Sequence, residues 1–215
     1  MTHLPSAAEL IALHDGLLAT DAWPQREPAP RDDGLWRWVQ TNHRFNARLW
    51  AEEDLARRTT VADTEIAANK RAIDGFNQAR NDATERVDEI LLTALGLVDT
   101  ASARSDAPRS TVPAGARLNS ETAGSIIDRM SIMALKVHAM RAQTERSDVD
   151  EAHRETSRSK LARLVQQRED LGLCLDALLA DAQAGRAYFK VYRQFKMYND
   201  PHFNPALVAE AQARR

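Results

Sequence analysis

Amides and charged side chains recur at helical spacing in three stretches of this 215-residue chain. In IAANKRAIDGFNQARNDATERVD, residues 66–88, the positions are Asn69, Lys70, Asp74, Asn77, Arg80 and Asn81. Upstream stand His43, Asn46, Glu53 and Asp54, and downstream Asp128, Arg129 and Lys136. An amide both donates and accepts hydrogen bonds, so Asn46, Asn77 and Asn81 suit the reading of hydroxyl groups. Lys70, Arg80, Arg129 and Lys136 suit the neutralisation of an anion. Asp74 and Asp128 complete the candidate ligand-binding set. Glu53 or Asp54 would be the base of any chemistry, with His43 as an acid–base partner.

These residues must be positioned by helices. Strand-type alternation is nearly absent, and Ala, Leu, Glu, Gln and Arg dominate. The pattern predicts about five helices. They cover roughly Ser6–Ala19, Asp33–Arg58, Val61–Val98, Ser120–Ser147 and a fifth from Asp150 to at least Gly185, reaching toward Phe195. WPQREPAPRDDG breaks the chain after the first helix. The short turn near Thr59 makes the second and third helices antiparallel neighbours. The connection DTASARSDAPRSTVPAGARLN has the length and composition of a functional or disordered loop. Pro201 and Pro205 prevent further continuation of the fifth helix. The expected fold is all-α, a single antiparallel helix bundle with long central helices and an irregular C-terminal tail. One domain spans 1–215, with the N-terminal helix and linker over 1–31, the bundle core over 32–198 and the tail over 199–215.

On the third helix, the direction set by Ile66, Ile73, Leu91 and Leu95 also contains Lys70, Asn77, Thr84 and Asp88, within about 60° at 100° per residue. The polar residues therefore point toward neighbouring helices or a groove. Two arrangements satisfy them. One is a polar cleft that takes a small anionic or hydroxyl-rich ligand. The other is a closed network, because a buried group left unsatisfied costs about 1–3 kcal/mol. Asp74, Asp82, Asp88 and Asp128 are numerous enough to pair the cations internally.

Several function classes are excluded by the same residues. A formal net charge of -2 argues against nucleic acid as a partner. No apolar run reaches the length of a membrane helix, and the first residues lack a secretory pattern, so a cytoplasmic protein without membrane insertion is expected. Cys174 is the only cysteine, which excludes an internal disulfide and a thiolate metal cluster. No histidine follows a glutamate by three residues, and no glycine-rich nucleotide motif occurs. No metal and no cofactor are expected. Homo-oligomerisation is compatible with the composition. RAYFKVYRQFKMYND mixes bases with Tyr188, Phe189, Tyr192, Phe195 and Tyr198, and reads as an amphipathic helix end that covers the bundle. Trp36, Trp38 and Trp50 read as packing residues.

Four stretches, NARLWAEEDLAR, KRAIDGFNQARND, GSIIDRMSIMALKVHAM and RQFKMYNDPHFNP, together resemble a bacterial family of unknown function. Genes of that family often sit beside glycosyltransferases for surface polysaccharides. The resemblance covers roughly Asn46 to Pro205, with Met130 and Met133 where the family more usually has leucine. It implies a role in polysaccharide biosynthesis but supplies no catalytic set. The third helix also resembles helical chorismate mutase, which binds a dicarboxylate between helices. The readings that follow are a ligand-binding cleft, an accessory subunit docked on a biosynthetic enzyme through its C-terminal end, and a chorismate-mutase-like enzyme.

Overall fold

The computed structural model describes residues 3–32, 34–194, 197 and 200–213. Asp33, expected to open the second helix, and Phe195, Lys196 and Tyr198 of the basic–aromatic stretch lie outside them.

Helix α1 (Ala7–Leu18) is opened by a reciprocal cap, in which Ser6 Oγ accepts from the Glu9 amide and Glu9 Oε2 accepts from the Ser6 amide. It buries Ala7, Leu10, His14 and Leu17 along one stripe. Helix α2 (Leu35–Leu55) follows the proline-rich linker, with Asp32 Oδ1 accepting from the Gly34 and Trp36 amides. Helix α3 (Asp63–Ala94) returns beside it. Helices α4 (Ala123–Thr144) and α5 (Glu151–Gln183) form a second hairpin, capped by Thr122 and Asp150. Each hairpin packs along its own length, and α4 lies against α1, α2 and α3. The core is one cluster fed by all five helices, with Leu10, Val39, Leu91, Ile127, Met130 and Leu175 among its most buried members.

α4 can approach α3 closely because Gly124 has no side chain. A Cβ there would lie 2.7 Å from the Thr84 carbonyl oxygen and 2.8 Å from the Asp88 carboxyl group. The Gly124 amide instead donates to Asp88 Oδ1 at 2.7 Å.

Among the described residues the fold is all-α apart from two short strands, β1 (Arg117–Leu118) and β2 (Ala187–Tyr188), paired in parallel. Four details differ from the sequence expectation. α3 stops at Ala94 and α5 at Gln183, because Gly96 and Gly185 adopt positive φ and turn the chain away. The long connection is tied down by a bridge between Val98 and Ser110. The basic–aromatic stretch leaves the helix at its start: Phe189 is wholly buried, and Arg193 pairs with Glu85 at 2.8 Å and Glu89 at 2.7 Å. Arg193 also donates to the carbonyls of Ala103 and Ser105, which fastens the C-terminal segment to the connection. Finally, the tail is not irregular throughout. Helix α6 (Pro205–Ala213) starts at a proline, whose fixed φ suits a first helical position, and buries none of its residues.

Among the described residues no helix is long and apolar enough to cross a membrane.

Candidate functional site

The two hairpins are joined by a polar network at their waist. Asn42 and Asn46 are one turn apart on the buried face of α2. Asn42 Nδ2 donates to Asp128 Oδ1 on α4 at 2.8 Å and to Thr84 Oγ1 on α3 at 3.0 Å. Asn46 Nδ2 donates to the same Asp128 oxygen at 2.9 Å and to Ser131 Oγ at 3.0 Å. Arg80 Nε stands 3.8 Å from Asp128 Oδ1, too far for a hydrogen bond, while its Nη2 donates to Asn81 Oδ1. Arg80 Nε is buried and has no hydrogen-bond partner. Asp128 thus draws donors or a cation from α2 and α3, and ties them to α4.

Above this network the helices separate around a cavity of about 310 Å³. α2 contributes Asn46, Leu49, Trp50, Glu53, Asp54 and Arg57, and α3 contributes Asn77 and Arg80. Ile132 and Leu135 of α4 form the apolar wall. Trp50 is 36% exposed, so its ring is available to the cavity. Glu53 and Arg57 form an i,i+4 ion pair at 2.8 Å. Asp54 is exposed and makes no ion pair with a described residue.

The structure thus brings together Asn46, Glu53, Asp54, Asn77 and Arg80 from the sequence-derived set, with Asn81 and Asp128 behind Arg80. The other members fall elsewhere. Lys70 and Asp74 pair with each other on the outside of α3. Lys70 lies about 60° and Asp74 about 100° around the helix from the buried Ile73, so both sit on the flank of the inward face and reach water. Arg129 pairs with Glu121 at 2.7 Å and, with Lys136, lines a separate cleft of about 660 Å³ between α4 and α5. Arg129 and Lys136 thus share a cavity with each other, while Arg80 lines the one that holds Glu53 and Asp54. Glu121 and Asp170 balance that second cleft, and Ile132 lines both clefts.

His43 does not form the expected acid–base pair with Glu53 or Asp54. Its ring is fully buried, Nδ1 is 2.8 Å from Ser131 Oγ, and His14 of α1 packs against it with ring centroids 4.5 Å apart. Burial pushes the His43 pKa down to about 3, so the ring is neutral and structural. Asp88 moves the other way. Its burial beneath Gly124 raises it to about 7.

Sequence reasoning treated Trp50 as packing, placed Arg57 near Glu53 without giving it a role, and left out Ser131. The i,i+4 spacing of Asn46, Trp50 and Glu53–Arg57 carried a signal for the first two. Nothing in the sequence pointed to the contact of His14 with His43.

A family model described as "Protein of unknown function (DUF4254)" matches residues 36–191. No curated protein and no solved structure gives a significant match.

Proposed function

Because the chain belongs to the family described as "Protein of unknown function (DUF4254)", we propose its role from the chemistry of the cleft: it binds a small hydroxyl-rich ligand, one sugar unit in size. The observation that carries this reading is a cavity lined by the amides Asn46 and Asn77, by Asp54, which has no ion pair with a described residue, and by the part-exposed ring of Trp50. Ligand hydroxyls can exchange hydrogen bonds with such amides and a carboxylate, where an apolar ligand would leave them without partners. Trp50 offers an apolar face to the C–H side of a sugar ring, and about 310 Å³ is at the small end of ligand sites. The two cations of the cleft are already compensated, Arg57 by Glu53 and Arg80 by Asp128. This favours a hydroxyl-rich ligand over a strongly anionic one. Asp54 is the carboxylate left free to accept a hydroxyl proton. The sequence resemblance to a family encoded beside glycosyltransferases supports a cytoplasmic role in surface-polysaccharide assembly.

Saturation-transfer NMR with glucose, galactose and a nucleotide sugar tests the reading. At least one sugar should give a saturable signal that Trp50→Ala weakens about tenfold or more, the loss of roughly 1.4 kcal/mol. Absence of binding by every sugar, or unchanged binding in both Trp50→Ala and Asn77→Leu, would overturn it.

A second reading, an accessory subunit docked on a biosynthetic enzyme, is favoured by the exposed Tyr192, Met197, Phe203 and Leu207 near the C-terminal end. On that reading, removal of residues 200–215 abolishes association with a co-expressed glycosyltransferase and leaves sugar binding intact. Association that survives the truncation would count against it.

A further inference from the structure

His14 and His43 are each 0% exposed, and both ring nitrogens of His14 and Nε2 of His43 have no hydrogen-bond partner. A core position normally avoids this, because an unsatisfied buried polar group is costly and a phenylalanine would fill the space without it. Trp23, in the turn after α1, stacks on the other side of His43 with centroids 5.6 Å apart. The pair therefore joins α1, that turn and α2. α1 precedes the segment matched by the family model, which begins at residue 36.

Ser131 links the pair to the cleft. Its Oγ accepts from Asn46 Nδ2 and lies 2.8 Å from His43 Nδ1, so its own hydrogen can go to a neutral His43 that carries its proton on Nε2. A proton on Nδ1 would reverse that bond. The backbone of His14 favours a protonated His43, but burial outweighs it. From α5, buried Arg168 acts on His14 as a like charge, and its carboxylate partner, Asp15 of α1, already holds it at 2.6 Å. From α4, Asp128 is committed to Asn42, Asn46 and Arg80. Asp88, a buried acid with a raised pKa, sits against the start of α4, where it accepts from the Gly124 amide.

We propose that the His14–His43 contact is an acid-released latch, which holds α1 on the bundle and, through Ser131, holds Asn46 at the floor of the cleft. Neutral rings keep it closed near pH 7. Both histidines have their pKa values lowered by burial, His14 well below the ordinary range. Release of α1 returns two imidazoles to water, where their ordinary pKa is about 6.5. Release therefore takes up two protons, and the equilibrium should shift by about 100-fold per pH unit below that value. The inference holds whatever ligand occupies the cleft.

Hydrogen exchange of the α1 amides in the full chain tests the latch between about pH 6 and 5, above the ordinary carboxylate range. Protection of residues 7–18 should fall about 100-fold per pH unit, while α3 and α4 core amides keep theirs. In His14→Phe the ring contact remains with one titrating partner, and the slope should fall to about tenfold. The Asn46 side-chain amide resonances should shift over the same pH range. A pH-independent α1, or equal loss of protection in α3 and α4, overturns the latch. Release of α1 with no change at Asn46 overturns its coupling to the cleft. Should His14→Phe fail to fold, the slope in the unmodified chain decides alone.

Discussion

The groove between α2, α3 and α4 has two ends that use the same residue types to opposite effect. At the closed end Asn42, Asn46, Thr84, Asp128 and Ser131 bond to one another across the three helices. At the open end Trp50, Glu53, Asp54 and Asn77 face a cavity. The difference is one of neighbours. Where α4 approaches α3 at Gly124, these polar groups meet partners within about 3 Å, the Arg80 Nε excepted. Two or three turns along, the hairpins diverge and the same stripe meets space. Polarity on an inward face is thus structural or available according to how far the facing helix follows.

The largest effect is expected from filling that approach. Gly124→Ala would press a Cβ into the Thr84 carbonyl oxygen and Asp88, and should cost about 3 kcal/mol in urea denaturation. A cost below about 0.5 kcal/mol would mean that close approach does not define the closed end. Asn46→Leu comes next. It strips donors from Asp128 and Ser131 and should destabilise by about 1–3 kcal/mol.

Asp88 sharpens the comparison through pH. Its folded pKa of about 7 lies above the ordinary 3.8, so the folded state keeps the proton longer than the unfolded chain. Its contribution is therefore fully present below about pH 4 and is lost as pH rises toward 7. Asp88→Asn keeps an oxygen for the Gly124 amide and removes that loss. It should raise the melting temperature at pH 8 by at least about 2 °C, the shift given by ~1 kcal/mol at this length, with little change at pH 4. An equal shift at both pH values would show that titration is not its cause.

The smallest stability effect belongs to the open end. Asn77→Leu should change stability by less than about 0.5 kcal/mol while removing sugar binding. Strong destabilisation there would show that the open end is closed as well, and would remove the distinction between the two ends.

Much of the site was legible in the chain. Asn46, Glu53, Asp54, Asn77 and Arg80 follow from helical arithmetic applied to α2 and α3 separately, and their convergence follows from the short turn between those helices. Arg129 and Lys136 were legible as a pair but not as belonging to another cleft. With Met133 they occupy the flank of α4 that faces α5, which spacing along α4 alone does not reveal. His43 shows the same limit in reverse. Its position one turn before Ala47 says that it faces inward, and only the arrival of α1 decides that it meets His14.

Composition and periodicity determined that this chain is helical, that its helices pair as hairpins, and which direction around each helix is inward. Tertiary structure alone decided that Lys70 meets water, that Arg129 and Lys136 serve a second cleft, and that Asn46 is bonded to protein while Asn77 lines open space. The reason is geometric. Periodicity measures angle about a helix axis, whereas burial and hydrogen bonding depend on how far along that axis a neighbour extends, which is set by residues distant in the chain.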